Sequence, residues 1–424
     1  LGHQNHQWRH SATGKGYTEP NDDGTWASNA KRINVLKYTL KTVFNNKELI
    51  PENKIRIAWQ AMNNSDTSVI STDGNIKKNS MRPIDALIPR EVELDTGRYV
   101  WTLNRRGNVR EEDCDPITGI IRTSNSGTLG RCSYVPDKGI VYDKHRDNFL
   151  SFIGGLKADG GTPSHKMFSQ ADAYMRAATD KNGPWSTDPG GTGSKATEYL
   201  GCRRNYHIMM TDGVWNSLSD SHKSGDQDGI NWEELNDRKA YKTTSDQTKV
   251  YYDGHSNMLA DWALKSWMDP LQDPKKLIDS ANLKPSKIYE DAPTTENFTK
   301  TKTITTDVEP CLESENYWTW EGWKKRCIKW TQKTVTETKS VNLEKYWNPK
   351  YNPATWPHMV TYTVGFSDQA TKWQFSPNIT APTDKVPFGY TDGFVDLVTG
   401  WAQWPNLQSK KYIINTSTST RDKG

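Results

Sequence analysis

Two oxygen-bearing side chains stand where an ion could be held. Thr162 follows the sharp turn Asp159-Gly160-Gly161 and opens a helical pattern. Asp212 ends the short apolar strand Tyr206–Met210 and begins an Asp-Gly turn. Ligands of open α/β sheets bind outside the carboxyl ends of strands, and Mg²⁺ takes hydroxyl and carboxylate oxygens while retaining several waters. Two such ligands alone hold an ion poorly, so weak or undetectable metal binding is expected of this pair. Each residue also has a plain structural role, Thr162 as a helix cap before Pro163 and Asp212 as a turn former. A second candidate, Asp226-x-Asp228-Gly229 followed by Glu233 and Glu234, faintly echoes a calcium loop. It lacks the further ligands and the twelfth-position Glu of an EF-hand, and reads as a solvated acidic loop.

Residues that could support catalysis do not assemble into a recognisable pattern. His207 lies inside an apolar strand, His358 precedes another, and His145 and His165 stand singly. None accompanies a Ser or Cys nucleophile at an elbow. Gly191-Thr192-Gly193-Ser194-Lys195 lacks the phosphate-loop spacing and any strand before it. A glycan hydrolase needs two placed carboxylates, and nothing selects them. A binding module is therefore expected, not an enzyme.

The five cysteines form no zinc pattern. Cys114 with Cys132, and Cys311 with Cys327, have the separations of disulfides that close polar, turn-rich loops, which implies an oxidising compartment. Cys202 is left over. The second pair sits between two Thr/Lys/Val-rich segments, Phe298–Val308 and Ile328–Val341, that alternate as strands do. They predict a two-stranded arm, stapled near its distal end, whose tip carries Tyr317, Trp318, Trp320 and Trp323. These aromatics either form a contact surface or are buried by an arm that folds back. An isolated hairpin is marginal in water, which gives the staple its purpose.

Composition narrows the classes further. The 424 residues suffice for one large domain with insertions, yet only 33% are hydrophobic, and much of the apolar mass is in 18 Trp, 18 Tyr and 9 Phe. Mean hydropathy is −0.87. The net charge of +4 arises from mixed signs without a Lys/Arg block, which argues against nucleic acid. No apolar run is long enough to cross a membrane. The start at Leu1 without a signal reads as a processed or cut chain.

Apolar spacing predicts helices over 30–46, with Ser28 or Asn29 as cap, over 145–156, after Pro163, and over Met258–Trp267. Strands are expected at Lys54–Met62, at Tyr206–Met210 and from Met359 to Phe366, with some β character at 91–103. Residues 1–29 read as polar loop and 408–424 as a polar tail or linker. The body, 30–407, carries insertions at about 64–140, 177–200, 213–256 and 270–355. Alternating helices and strands argue for an α/β domain with a mostly parallel sheet.

Several segments together resemble the von Willebrand factor A-like domain of the PilC/PilY family of type IV pilus assembly and tip-associated adhesin proteins. They are Asp159–Pro163 with its helix, Cys202–Trp215 (CRRNYHIMMTDGVW), Leu259-Ala260-Asp261, His358–Phe366 (HMVTYTVGF) and Tyr390–Pro405. The resemblance covers about Ala30 to Leu407. It implies a Rossmann-like fold and an exported protein that reaches the pilus tip, cell surface or outer membrane through the periplasm. It implies roles in pilus biogenesis, adhesion and twitching motility. Implied partners are minor pilins or the pilus tip, a C-terminal β-propeller, and a host or abiotic surface. The family's metal site joins an Asp-x-Ser-x-Ser loop to a later Thr and Asp. Thr162 and Asp212 match the later pair, but no Asp-x-Ser-x-Ser loop occurs and the first apolar strand is missing, so truncation is expected. Mg²⁺ or Ca²⁺ thus belongs to the intact protein, with weak or no binding here. The rival readings are a structural cap that docks minor pilins without an adhesive ligand, and a cell-envelope enzyme.

Overall fold

A computed structural model describes residues 15, 17–27, 30–52, 54–61, 80–102, 131–156, 162–211, 220–235, 238–253, 255–278, 284–365, 392–401, 411–413 and 420–422. They fall in two compact units. One gathers the described residues of Ser11–Trp59 and Ser71–Lys157, the other those of Gln60–Ile70 and Ala158–Gly424.

The first unit begins with helix α1 (Arg32–Asn45), which buries Ile33 and Leu36. Ser28 and Asn29 lie outside the described residues, and the helix is preceded instead by Lys31, which makes no side-chain cap. The strand expected over Lys54–Met62 shrinks to β1 (Arg56–Ile57), paired antiparallel with β2 (Arg82–Pro83). Its last aromatic, Trp59, packs on Phe149 and Phe152, so side-chain burial against a helix replaces the ladder. Residues 64–140 contain more order than their composition implies. Strand β3 (Leu87–Thr102) pairs antiparallel with β4 (Arg131–Lys144), with a register shift between Glu93 and Gly97. Cys114 lies outside the described residues; Cys132 is on β4 opposite Trp101. Helix α2 (His145–Gly155) follows β4 directly and places Phe149 and Ile153 in a small core with Trp59, flanked by Leu40 and Phe44 of α1.

In the second unit, α3 (Ser164–Arg176) precedes β5 (Asn205–Thr211), and α4 (Leu259–Met268) and the short α5 (Lys287–Glu290) precede the arm strands β6 (Thr295–Thr319) and β7 (Gly322–Glu344). Strand β8 (Met359–Gly365), helix α6 (Asp392–Val398) and the short antiparallel pair β9 (Lys411–Ile413) and β10 (Thr420–Asp422) complete it. The last pair falls in the expected polar tail.

Strands β5 and β8 pair in parallel from Asn205↔Met359 to Thr211↔Gly365. One face turns His207 and Met209 inward, with His207 edge-on to Phe168 of α3. The other leaves Tyr206, Ile208 and Tyr362 exposed. Of the mostly parallel sheet expected from the element order, the described residues contain this one parallel pair. Among the described residues every sheet has two strands, and only β5–β8 is parallel. The long insertions pair with themselves, because a hairpin closes locally whereas a parallel pair needs a crossover.

The arm is the longest feature. Its base is anchored where Phe298 and Leu343 enter a core with Tyr241, Met268, Tyr346, Trp347 and Trp356. Its face carries a ladder of hydroxyls, including Thr301–Thr338 at 2.8 Å and Thr305–Thr334 at 3.1 Å, the type of cross-strand pair that stabilises a two-sided polar ribbon. A disulfide joins Cys311 and Cys327 across it. The strands do not stop near this bond, as expected, but continue to Thr319 and Gly322. Closing a loop of this separation, 16 residues, contributes about 3 kcal/mol in the chain-entropy model. Cys327→Ser is therefore expected to weaken amide-exchange protection from Cys311 to Cys327 while the melting midpoint of the remaining body stays unchanged. Equal protection in both forms would show that the staple is dispensable.

Candidate functional site

At the end of the arm the chain turns through Trp320 and Glu321. Trp318 and Trp323 face each other across the strands, with ring centroids 5.6 Å apart in an edge-on arrangement. Tyr317 lies under the Arg326 guanidinium at 5.6 Å, and Arg326 also pairs with Glu315. The three indoles are 66%, 90% and 70% exposed for Trp318, Trp320 and Trp323. Among the described residues, side-chain hydrogen bonds and ion pairs from Thr303 to Thr336 stay within the arm. The arm does not fold back on its tip. At about 3.3 Å per residue, a strand of 25 residues extends about 80 Å, so the tip is remote from the core at its base.

Of the two metal-ligand candidates read from the sequence, only Thr162 lies among the described residues. Thr162 is 2% exposed and its carbonyl accepts the Ser164 N–H at 2.8 Å. Pro163, expected as the first helical residue, is instead the cap position of α3. Asp212 lies outside the described residues, as do Asp159–Gly161 and Gly213–Trp215.

The Asp226 loop departs from expectation. Asp228 is only 3% exposed, so the loop is not a solvated acidic turn. Carboxylate oxygens of Asp226, Asp228 and Asp261 lie within 4.8 Å of one another. Asp261 is 1% exposed, in the first turn of α4, a position the spacing of Asp226 and Asp228 does not reveal. Backbone amides hold the group. Gly229 donates to Asp226 at 2.6 Å, Gln227 and Met258 donate to the two oxygens of Asp261 at 2.6 and 2.7 Å, and Asp253 donates to Asp228 at 3.3 Å. Burial, then the Asp253 and Asp261 carboxylates, push the Asp228 carboxyl far above its ordinary range. The loop is fixed from outside by Trp232, whose indole donates to the Gln227 carbonyl, and by Tyr241, whose hydroxyl donates to that of Asp228. Glu233 and Glu234 are exposed and take no part in the group.

The histidines are dispersed. His358 is fully buried, with Asn352 at 2.8 Å from Nε2 and the Trp356 carbonyl at 2.7 Å from Nδ1. This arrangement holds the neutral ring with its proton on Nδ1. Burial lowers its pKa to about 4, and that of His207 likewise to about 4. His165 bonds the Asn257 carbonyl at 2.8 Å, and His145 the Ile57 carbonyl at 2.9 Å. Cys202 is exposed and carries a free thiol.

No family model matches the chain, and no solved structure matches it. Three curated relatives do. Type IV pilus biogenesis factor PilY1 of Pseudomonas aeruginosa strain PAK is 32% identical over 237 residues, 55% of this chain and 15% of that protein. The PilY1 of strain PAO1 is 32% identical over 273 residues, 64% of this chain and 17% of the relative. That of strain UCBPP-PA14 is 28% identical over 223 residues, 52% and 13%. The chain therefore matches less than a fifth of the length of these relatives. Over the stretches they share, the chain is similar to these proteins, which are named type IV pilus biogenesis factors, in keeping with the PilC/PilY resemblance.

Proposed function

We propose that this chain is a non-enzymatic adhesin and assembly domain of a type IV pilus biogenesis factor, and that it engages its partner through the tip of the β6–β7 arm. The supporting observation is the set of three exposed indoles at the end of a stapled hairpin whose base is rooted in a core. Trp is enriched among the residues that dominate binding energy, and exposed apolar clusters of this kind mark interaction sites. The parallel β5–β8 pair, with α3 packed on it, supports a von Willebrand factor A-like body. In this reading the protein is exported to the pilus tip, cell surface or outer membrane, with minor pilins and a β-propeller as neighbours and a host or abiotic surface as ligand. Surface attachment and twitching motility depend on the arm. Thr162 and Asp212 contribute weak metal binding or none.

The test is the triple variant Trp318→Ser, Trp320→Ser, Trp323→Ser, placed in the full-length protein. Loss of hot-spot contacts worth about 2 kcal/mol or more predicts at least a tenfold fall in surface attachment, with circular dichroism unchanged. A fall in pilus number as well would assign the tip to docking minor pilins. Normal attachment, pilus number and twitching by the folded variant would refute the proposal.

A further inference from the structure

We propose that Asp226, Asp228 and Asp261 form a calcium site, sharing no residue with the Thr162 and Asp212 pair, that fastens the loop after β5 to the first turn of α4. Three observations carry it. The three residues each bring a carboxylate oxygen within 4.8 Å of the others. Two of them, Asp228 and Asp261, are 3% and 1% exposed, and among the described residues no Lys, Arg or His forms an ion pair with any of the three. Finally, Asp228 Oδ1 is buried and accepts no hydrogen bond. Buried carboxylates are retained when paired or bound to a metal, and leaving one without a counter-charge is costly.

The all-oxygen donor set excludes the nitrogen and sulfur preference of zinc. Its span suits calcium, which bonds oxygens at about 2.3–2.6 Å with loose geometry and accepts backbone carbonyls and water as further ligands. Magnesium requires about 2.0–2.1 Å and a near-ideal octahedron. The amide donors already described point the carboxylates inward without neutralising them. Gly229 has a role here as well, because a Cβ at that position would fall 2.2 Å from both Asp226 carboxylate oxygens. An alanine would displace Asp226 without changing any charge. The cation would tie this loop to α4 beside Tyr241, a member of the core that also receives Phe298 and Leu343 from the base of the arm.

The experiment uses the 424-residue chain, stripped with EDTA, with calcium chloride or magnesium chloride as the only added metal. Calorimetry is expected to give one calcium per chain with a dissociation constant between about 10⁻⁶ and 10⁻³ M, and calcium is expected to raise the melting midpoint more than magnesium does at equal concentration. Asp228→Asn and Asp261→Asn should each weaken calcium binding at least 100-fold, and Gly229→Ala at least tenfold. Thr162→Ala should leave binding unchanged. Should Asp228→Asn fail to fold by circular dichroism, Asp226→Asn, which alters the least buried of the three, supplies the same comparison. Absence of calcium heat and of a melting shift at millimolar calcium overturns the proposal. So does a response retained by a folded aspartate variant, or one lost in Thr162→Ala alone.

Discussion

Replacement of Arg146 by methionine is expected to destabilise the α1–α2 unit by about 3–5 kcal/mol, the cost of stranding one member of a buried ion pair. The side chains of Arg146 and Asp85 are 4% and 7% exposed. The guanidinium grips both carboxylate oxygens, from Nε at 3.1 Å and Nη2 at 2.9 Å. Its remaining donors reach the Phe44 carbonyl at the end of α1 and the Ile50 carbonyl beyond it. The hydrogen bond from Arg146 is the main cause that holds the Asp85 carboxyl below its ordinary range. Methionine preserves much of the buried stem but leaves that carboxylate without its cation and two carbonyls without donors. Urea unfolding monitored by amide exchange in α1 and α2 measures the loss. The double variant Arg146→Met, Asp85→Leu should recover most of it, since an apolar pair can replace a buried ionic one at little cost. A single variant within about 0.5 kcal/mol of the parent, the range of ordinary surface changes, would show that the pair is not structural.

Acidification is expected to weaken the same unit before its carboxylates titrate. His145 is fully buried, packed on Trp59 at 4.7 Å, and burial lowers its pKa from 6.5 to about 4. Between those values the unfolded chain binds a proton that the folded one refuses, so stability rises with pH across the window. The contribution is complete above pH 6.5 and is lost as the pH falls toward 4. By linkage it amounts to about 3 kcal/mol at most. Asp85 acts in the same direction at lower pH, because its folded pKa is depressed. Amide-exchange free energies in α1 and α2 at pH 7 and pH 5 test this, and His145→Phe should flatten the dependence. Equal free energies at the two pH values in the parent chain would contradict the assignment.

The arm shows where sequence reasoning succeeded and where it stopped. Alternating Thr, Lys and Val residues on either side of Cys311 and Cys327 predicted two paired strands and their staple, because side-chain alternation is a local property of a ribbon. The extension of those strands to Thr319 and Gly322 was not legible. Aromatic residues such as Trp318 and Trp323 suit both a packed tip and an exposed cross-strand pair, and only the register distinguishes them. The helices at Arg32–Asn45, His145–Gly155 and Leu259–Met268 were read from apolar spacing to within two residues at either end. Strand Lys54–Met62 failed because Trp59 obeys the same alternation whether it sits in a ladder or, as here, against Phe149.

Residue order alone was enough to carry the family resemblance, the helices, the parallel candidates β5 and β8, and the stapled arm. Each follows from motifs or from periodicity within one element. Which carboxylates meet depended on folding, since Asp261 lies more than 30 positions from Asp226 and Asp228 and joins them only when the loop closes on the start of α4. Burial was decided in the same way. The polar context of Asp228 implied solvent, yet the rings of Trp232 and Tyr241 hold that loop against the core through the carbonyls of Gln227 and Asp228. Those contacts span 5 and 13 positions, which match neither a helical nor a strand period, so no periodic pattern encodes them.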